Sequence, residues 1–132
     1  MQDRPDPEEL LRTVAATLRE RLMPQLTGEF AFEARVAANA IDLVVRQLAL
    51  QPAADTSERQ RLAALLGRDG ALDELNRELC ARIADGRLTQ DDPALAAHLW
   101  ATTLDKLAVD QPTYAAYRAE AGEGAAKQTT DT

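Results

Sequence analysis

His98 is the only histidine and Ser57 the only serine in the chain. A Ser-His-Asp nucleophile would therefore have to be built from these two. Ser57 falls where a helix starts, and local hydrogen bonding accounts for a serine there. His98 shares a helical stripe with Thr102 and Asp105, and a histidine–carboxylate pair can tune a proton donor. Seven residues, however, are two helical turns, about 10 Å along the axis, too far for direct contact. The spacing instead predicts that His98 stands on an exposed polar face. Cys80 is the only cysteine. A thiol becomes a nucleophile when a nearby cation or base activates it, and Arg77 and Arg82 are close in sequence. Its setting among Leu75, Leu79 and Ile83 predicts a small buried core residue.

Metal and phosphate chemistry find less. One His and one Cys cannot form a typical zinc site. The E-x-x-H pairs of di-iron bundles are missing. Gly67-Arg68-Asp69-Gly70 lacks the spacing and the lysine of a phosphate loop, and there is no G-x-G-x-x-G. No catalytic residue, metal ligand or cofactor is assigned.

Two polar groups invite a binding role. Arg35, Asn39, Asp42 and Arg46 share one narrow face of an otherwise apolar helix, where Asp42 and Arg46 can pair at i, i+4. Such a stripe is a solvated face, a network tying helices together, or a site for a ligand or partner. Arg35 suits an anionic group through its forked guanidinium. Lys106, Asp110, Gln111 and Tyr114 form the second group, at the end of a later helix. Lys106 borders apolar residues, from which lysines commonly snorkel. If the groups act together, Arg35, Asn39, Lys106 and Asp110 would hold an anionic or acyl-CoA-related ligand.

The elements that position these residues are helical. Asp6-Pro7 with Glu9 caps a first helix, Leu11, Val14, Ala15, Leu18 and Leu22 form its apolar stripe, and Pro24 ends it. Thr27-Gly28 opens a second helix expected to reach about Leu50, before a loop at Pro52-Ala53-Ala54-Asp55. Its apolar arc, from Phe30 and Phe32 through Val44 and Val45 to Leu48, covers more than half the wheel, as in a helix surrounded by partners. A short third helix carries Leu62, Leu65 and Leu66 and stops at Gly67. A fourth carries Leu72, Leu75, Leu79 and Ile83 and stops at Gly86. Asp92-Pro93 starts a fifth, whose apolar face is Ala96, Trp100, Leu104 and Leu107, extended by Leu95 and Leu99. Tyr114 and Tyr117 anchor a last turn. No alternating β pattern and no fixed-period repeat is found. The expected fold is all-α, a compact bundle of four to five helices with a central second helix and no sheet. Residues 1–118 form one helical domain, and 119–132 a disordered tail.

A chain of 132 residues is long enough to bury a core without disulfides or metal. The net charge of −7 and the dispersed arginines argue against nucleic acid and against an anionic membrane surface. A lone cysteine fits a reducing compartment. The acidic N-terminus has no signal-peptide layout, and no apolar run approaches a membrane span. The cytoplasm is the expected location.

The run Leu26-Thr27-Gly28, then Phe32, then Arg35-Val36-Ala37-Ala38-Asn39 resembles a bacterial family known as a domain of unknown function. Asp105-Lys106-Leu107, Asp110-Gln111-Pro112, Tyr114 and the opening Asp3-Arg4-Pro5 extend the resemblance. Members of that family are often encoded beside, or fused to, kinases resembling aminoglycoside phosphotransferases, with acyl-CoA dehydrogenases as frequent neighbours. The resemblance implies an accessory, non-enzymatic role with a phosphotransferase-like protein or an acyl-CoA dehydrogenase as partner. A homodimer is the further expectation, because the arc on helix two exceeds what this chain can cover.

Overall fold

The computed structural model describes residues 5–128. Residues 1–4 and 129–132, where the N-terminal reading and the end of the expected tail fall, lie outside the described residues. Five α-helices and no strand occur among the described residues. They run α1 (Pro7–Thr17), α2 (Gly28–Leu66), α3 (Leu72–Ala84), α4 (Pro93–Asp110) and α5 (Ala115–Gln128). The all-α class read from the sequence is the observed one. None of these helices is long and apolar enough to cross a membrane.

The chain groups into two compact units, divided between Gln51 and Pro52. α2 contributes to both. The expected loop at Pro52-Ala53-Ala54-Asp55 is helical, and the second and third expected helices are one. An interior proline removes one backbone hydrogen bond and crowds the preceding turn, at a cost of about 3 kcal/mol. The flanking sequence offsets it. Ala53 and Ala54 and the Glu-Arg-Gln-Arg-Leu-Ala-Ala run after Ser57 are strong helix formers.

In the first unit, α1 starts as expected. Pro7 takes the first turn, and the Glu9 N–H donates to Asp6 Oδ1 at 2.9 Å. The helix then widens into a π turn, Leu18–Leu22, and tightens into a 3₁₀ turn, Met23–Gln25. The chain turns extended at Leu26, two residues past Pro24. Arg19 reaches Asn39 and Asp42, so α1 and the first part of α2 form a helical hairpin. Among the described residues, its buried apolar side chains are Ala15, Ala38 and Val45.

The second unit has the larger core. Leu62 and Leu66 of α2, Leu75 and Leu79 of α3 and Leu95 of α4 are buried together, with Leu65, Leu72 and Leu88 against them. Gly67, with φ of +74°, and Gly86, with φ of +77°, supply the left-handed stops expected after α2 and α3. Asp92 caps α4 as expected, accepting from the N–H groups of Ala94 and Leu95 at 2.9 and 3.2 Å. The stretch expected to be an unstructured tail is helical as far as Gln128. Its alanines (115, 116, 119, 121, 125 and 126) have the highest intrinsic helix propensity, which outweighs its glycines.

Candidate functional site

The polar stripe of the first unit is bonded to the π turn that follows α1. Arg19 Nη2 donates to Asn39 Oδ1 at 3.0 Å and to Asp42 Oδ2 at 2.6 Å. Two of the four stripe residues thus meet a residue that the sequence reading did not single out. Arg19 carried no signal, because its partners lie twenty and more positions away. Arg35 is exposed and Arg46 half-buried. The second expected group stands in the other unit. Lys106 and Asp110 are exposed near the end of α4. Tyr114, also exposed, precedes α5, its N–H donating to the Gln111 carbonyl and its carbonyl accepting from the Arg118 N–H.

Within the second unit, α4 turns a different face inward than its hydrophobic pattern suggests. Trp100, Leu99 and Ala96 are exposed, while Leu95 and His98 are buried. His98 keeps only 3% of its surface, which corrects its expected exposed position. The stripe His98–Thr102–Asp105 instead faces α2. Arg61 Nη2 donates to Asp105 Oδ2 at 3.1 Å and to Thr102 Oγ1 at 3.4 Å. A charged arginine on α2 needs acceptors, and Thr102 and Asp105 supply them. The inward face of α4 carries both these acceptors and Leu95, which joins the leucine core. Asn76 of α3 donates to Glu58 of α2 at 2.9 Å, adding a third helix to the seam.

Burial pushes the His98 pKa below its ordinary value, the Arg61 charge acts the same way, and Glu58 opposes both. His98 Nδ1 has no hydrogen-bond partner among the described residues. The imidazole is held neutral and apart from Asp105, whose acceptor is engaged by Arg61. The seam is built as a structural clamp. A second clamp closes the end of α2: Glu78 accepts from Arg68 and Arg82, and Arg82 also donates to the Leu66 carbonyl at 3.0 Å. These guanidiniums hold the Glu78 carboxyl below the usual carboxylate range. Cys80, expected in the core, is exposed. It follows Leu79 on the wheel by about 100° and so leaves the buried Leu75–Leu79 face.

The remaining surface feature is apolar. In the first unit, α2 exposes Phe30 (67%), Phe32 (60%), Val36, Val44, Leu48 and Leu50. Leu10, Val14 and Leu22 of the same unit are also exposed. The wide arc read from the sequence is real, but the hairpin buries only its Ala38 and Val45 edge and half-buries Ile41 and Leu43. Monomeric proteins seldom leave so many large apolar side chains together in water.

No group of His, Cys, Asp and Glu that could hold a metal ion occurs among the described residues. Fold and surface define an all-α protein with a clamped polar seam in one unit and an uncovered apolar helix face in the other. The chain belongs to the family described as "Domain of unknown function (DUF6285)", whose model matches residues 24–114. That span contains the Leu26–Asn39 and Asp105–Tyr114 runs. No curated protein and no solved structure matches the chain.

Proposed function

We propose that this protein is a non-enzymatic association domain, and that the apolar face of α2 between Phe30 and Leu50 is its working surface. The observation that carries this reading is the contrast in cover. Five leucines of the second unit are buried together, while the six large apolar side chains of α2 in the first unit are open. Burial of apolar area is the main driving force of protein association, and a helix face of this kind is met by a helical stripe of another polypeptide. Of the polar groups that could bind a ligand, Asn39 and Asp42 are engaged by Arg19, while Arg35 stands in one unit and Lys106 and Asp110 in the other.

The family resemblance supplies the heterologous chains to assay, a phosphotransferase-like protein and an acyl-CoA dehydrogenase. The test is co-purification of the full chain with each of them, with Phe32→Ser as the control variant. Retention of a partner by the wild type and its loss with Phe32→Ser is the expected result. Capture that Phe32→Ser leaves unchanged would move the working surface elsewhere.

A further inference from the structure

The exposed face of α2 has an internal symmetry. Its six large apolar residues fall into three pairs equidistant from Ala40: Phe30 with Leu50, Phe32 with Leu48, and Val36 with Val44. Ala40 itself is exposed. At about 100° per residue, these positions lie on both sides of Ala40 within an arc of roughly 160°. We infer that the occupant of this face is a second copy of the same chain, its α2 running antiparallel about a two-fold axis at Ala40. This deepens the association reading above and rests on it.

A two-fold interface is self-complementary, so residue i meets j and j meets i. In an antiparallel pair centred on Ala40, Val36 meets Val44 near the axis, and on the two flanks Phe30 meets Leu48 and Phe32 meets Leu50. The small Ala40 lies on the axis and lets the helix backbones approach. The polar positions inside the arc obey the same rule. Glu33 meets Gln47 and Glu29 meets Gln51, so each carboxylate faces an amide. A parallel pair would set Glu33 against Glu33 and Glu29 against Glu29, a like-charge arrangement that costs stability. Nothing in an arbitrary partner would require this pairing of positions within one chain.

The area is sufficient. With aromatic side chains on the order of 150–250 Å² each, the six α2 residues expose on the order of 500 Å². Two such faces bury on the order of 1,000 Å² in all, the least that a specific interface needs.

The test uses the full chain. Light scattering should give twice the chain mass of 14.4 kDa. Ala40→Arg places two like charges together at the axis and should raise the dimer dissociation constant at least about 100-fold. Circular dichroism checks that its helix content is kept. In a Cys80→Ala background, Ala40→Cys should form an intermolecular disulfide under mild oxidation. Val36→Cys should cross-link poorly alone but efficiently when mixed with Val44→Cys. A monomer at every concentration would overturn the inference, as would a dimer that Ala40→Arg leaves intact or efficient self-linking of Val36→Cys. A monomer whose capture of a heterologous chain is abolished by Ala40→Arg would sink the second copy while leaving the association reading standing. A monomer whose capture ignores that variant would end both.

Discussion

One helix serves two differently built units. Between Gly28 and Gln51, α2 buries small or slender residues, Ala38 and Val45, and leaves Phe30 and Phe32 open. Between Pro52 and Leu66 it buries Leu62 and Leu66 and donates Arg61 to α4. Both stretches have apolar residues at helical spacing, so amphipathicity alone does not separate them. What differs is the number of neighbours. The second unit brings α3 and α4 to its leucines, whereas the first unit brings only α1, and a two-helix hairpin cannot enclose a wide apolar arc. An apolar helix face therefore signals burial only when the fold supplies something to bury it.

The widest test of this contrast is a pair of truncations. Leu75→Ala, at a fully buried site, should destabilise the protein by about 2–5 kcal/mol through lost burial and a residual cavity. Phe30→Ala should leave the stability of the isolated chain within about 0.5 kcal/mol, as surface changes do, and act on association instead. Urea unfolding of both at low protein concentration compares them. An equal loss for the two would mean that the first unit hides a core of its own.

Pro52, at the boundary of the two units, sharpens the comparison next. Pro52→Ala restores an N–H to the middle of α2 and relieves ring crowding. It should stabilise the chain by about 1–3 kcal/mol, read as a rise in melting temperature. Loss of stability would show that the proline is needed to end one unit and begin the next.

A smaller effect separates the units by pH. The folded pKa of His98 lies below its ordinary value of 6.5, so the unfolded chain takes up this proton first. Stability from the neutral, buried imidazole is complete above about pH 6.5 and is lost as pH falls from there toward the lower folded pKa. The melting temperature should decline across that window, and His98→Gln should flatten the decline. The first unit contains no histidine, so variants there should leave the slope alone. The smallest expected change is at a cap. Asp92→Ala removes the acceptor for two N–H groups of α4 and should cost about 1 kcal/mol.

Local signals in this chain were read correctly wherever the deciding chemistry is local. Asp6-Pro7, Asp92-Pro93, Gly67 and Gly86 place helix ends because caps and left-handed turns involve neighbouring residues. The leucines of α3 were likewise legible, since Leu72, Leu75 and Leu79 keep one face. Pro52 was misread because its penalty is local, while the helix formers that outweigh it follow it in sequence. His98 and Cys80 were misread in opposite directions. Which face of α4 turns inward depends on its partners on α2 and α3, Arg61 among them, and no window on α4 contains them.

Of the candidate site, the sequence determined the inventory: one polar stripe, one wide apolar arc on the same helix, and no established catalytic set. It determined the all-α class too, through propensity, spacing and caps. Only the tertiary structure decided that Arg19 bonds the stripe and that the His98–Thr102–Asp105 face turns inward, toward Arg61. It also decided that the arc from Phe30 to Leu50 stays open. The reason is physical. Helix formation depends on residues within a turn or two, whereas exposure depends on how many other elements reach a face, and that number is set by contacts between residues far apart in the chain.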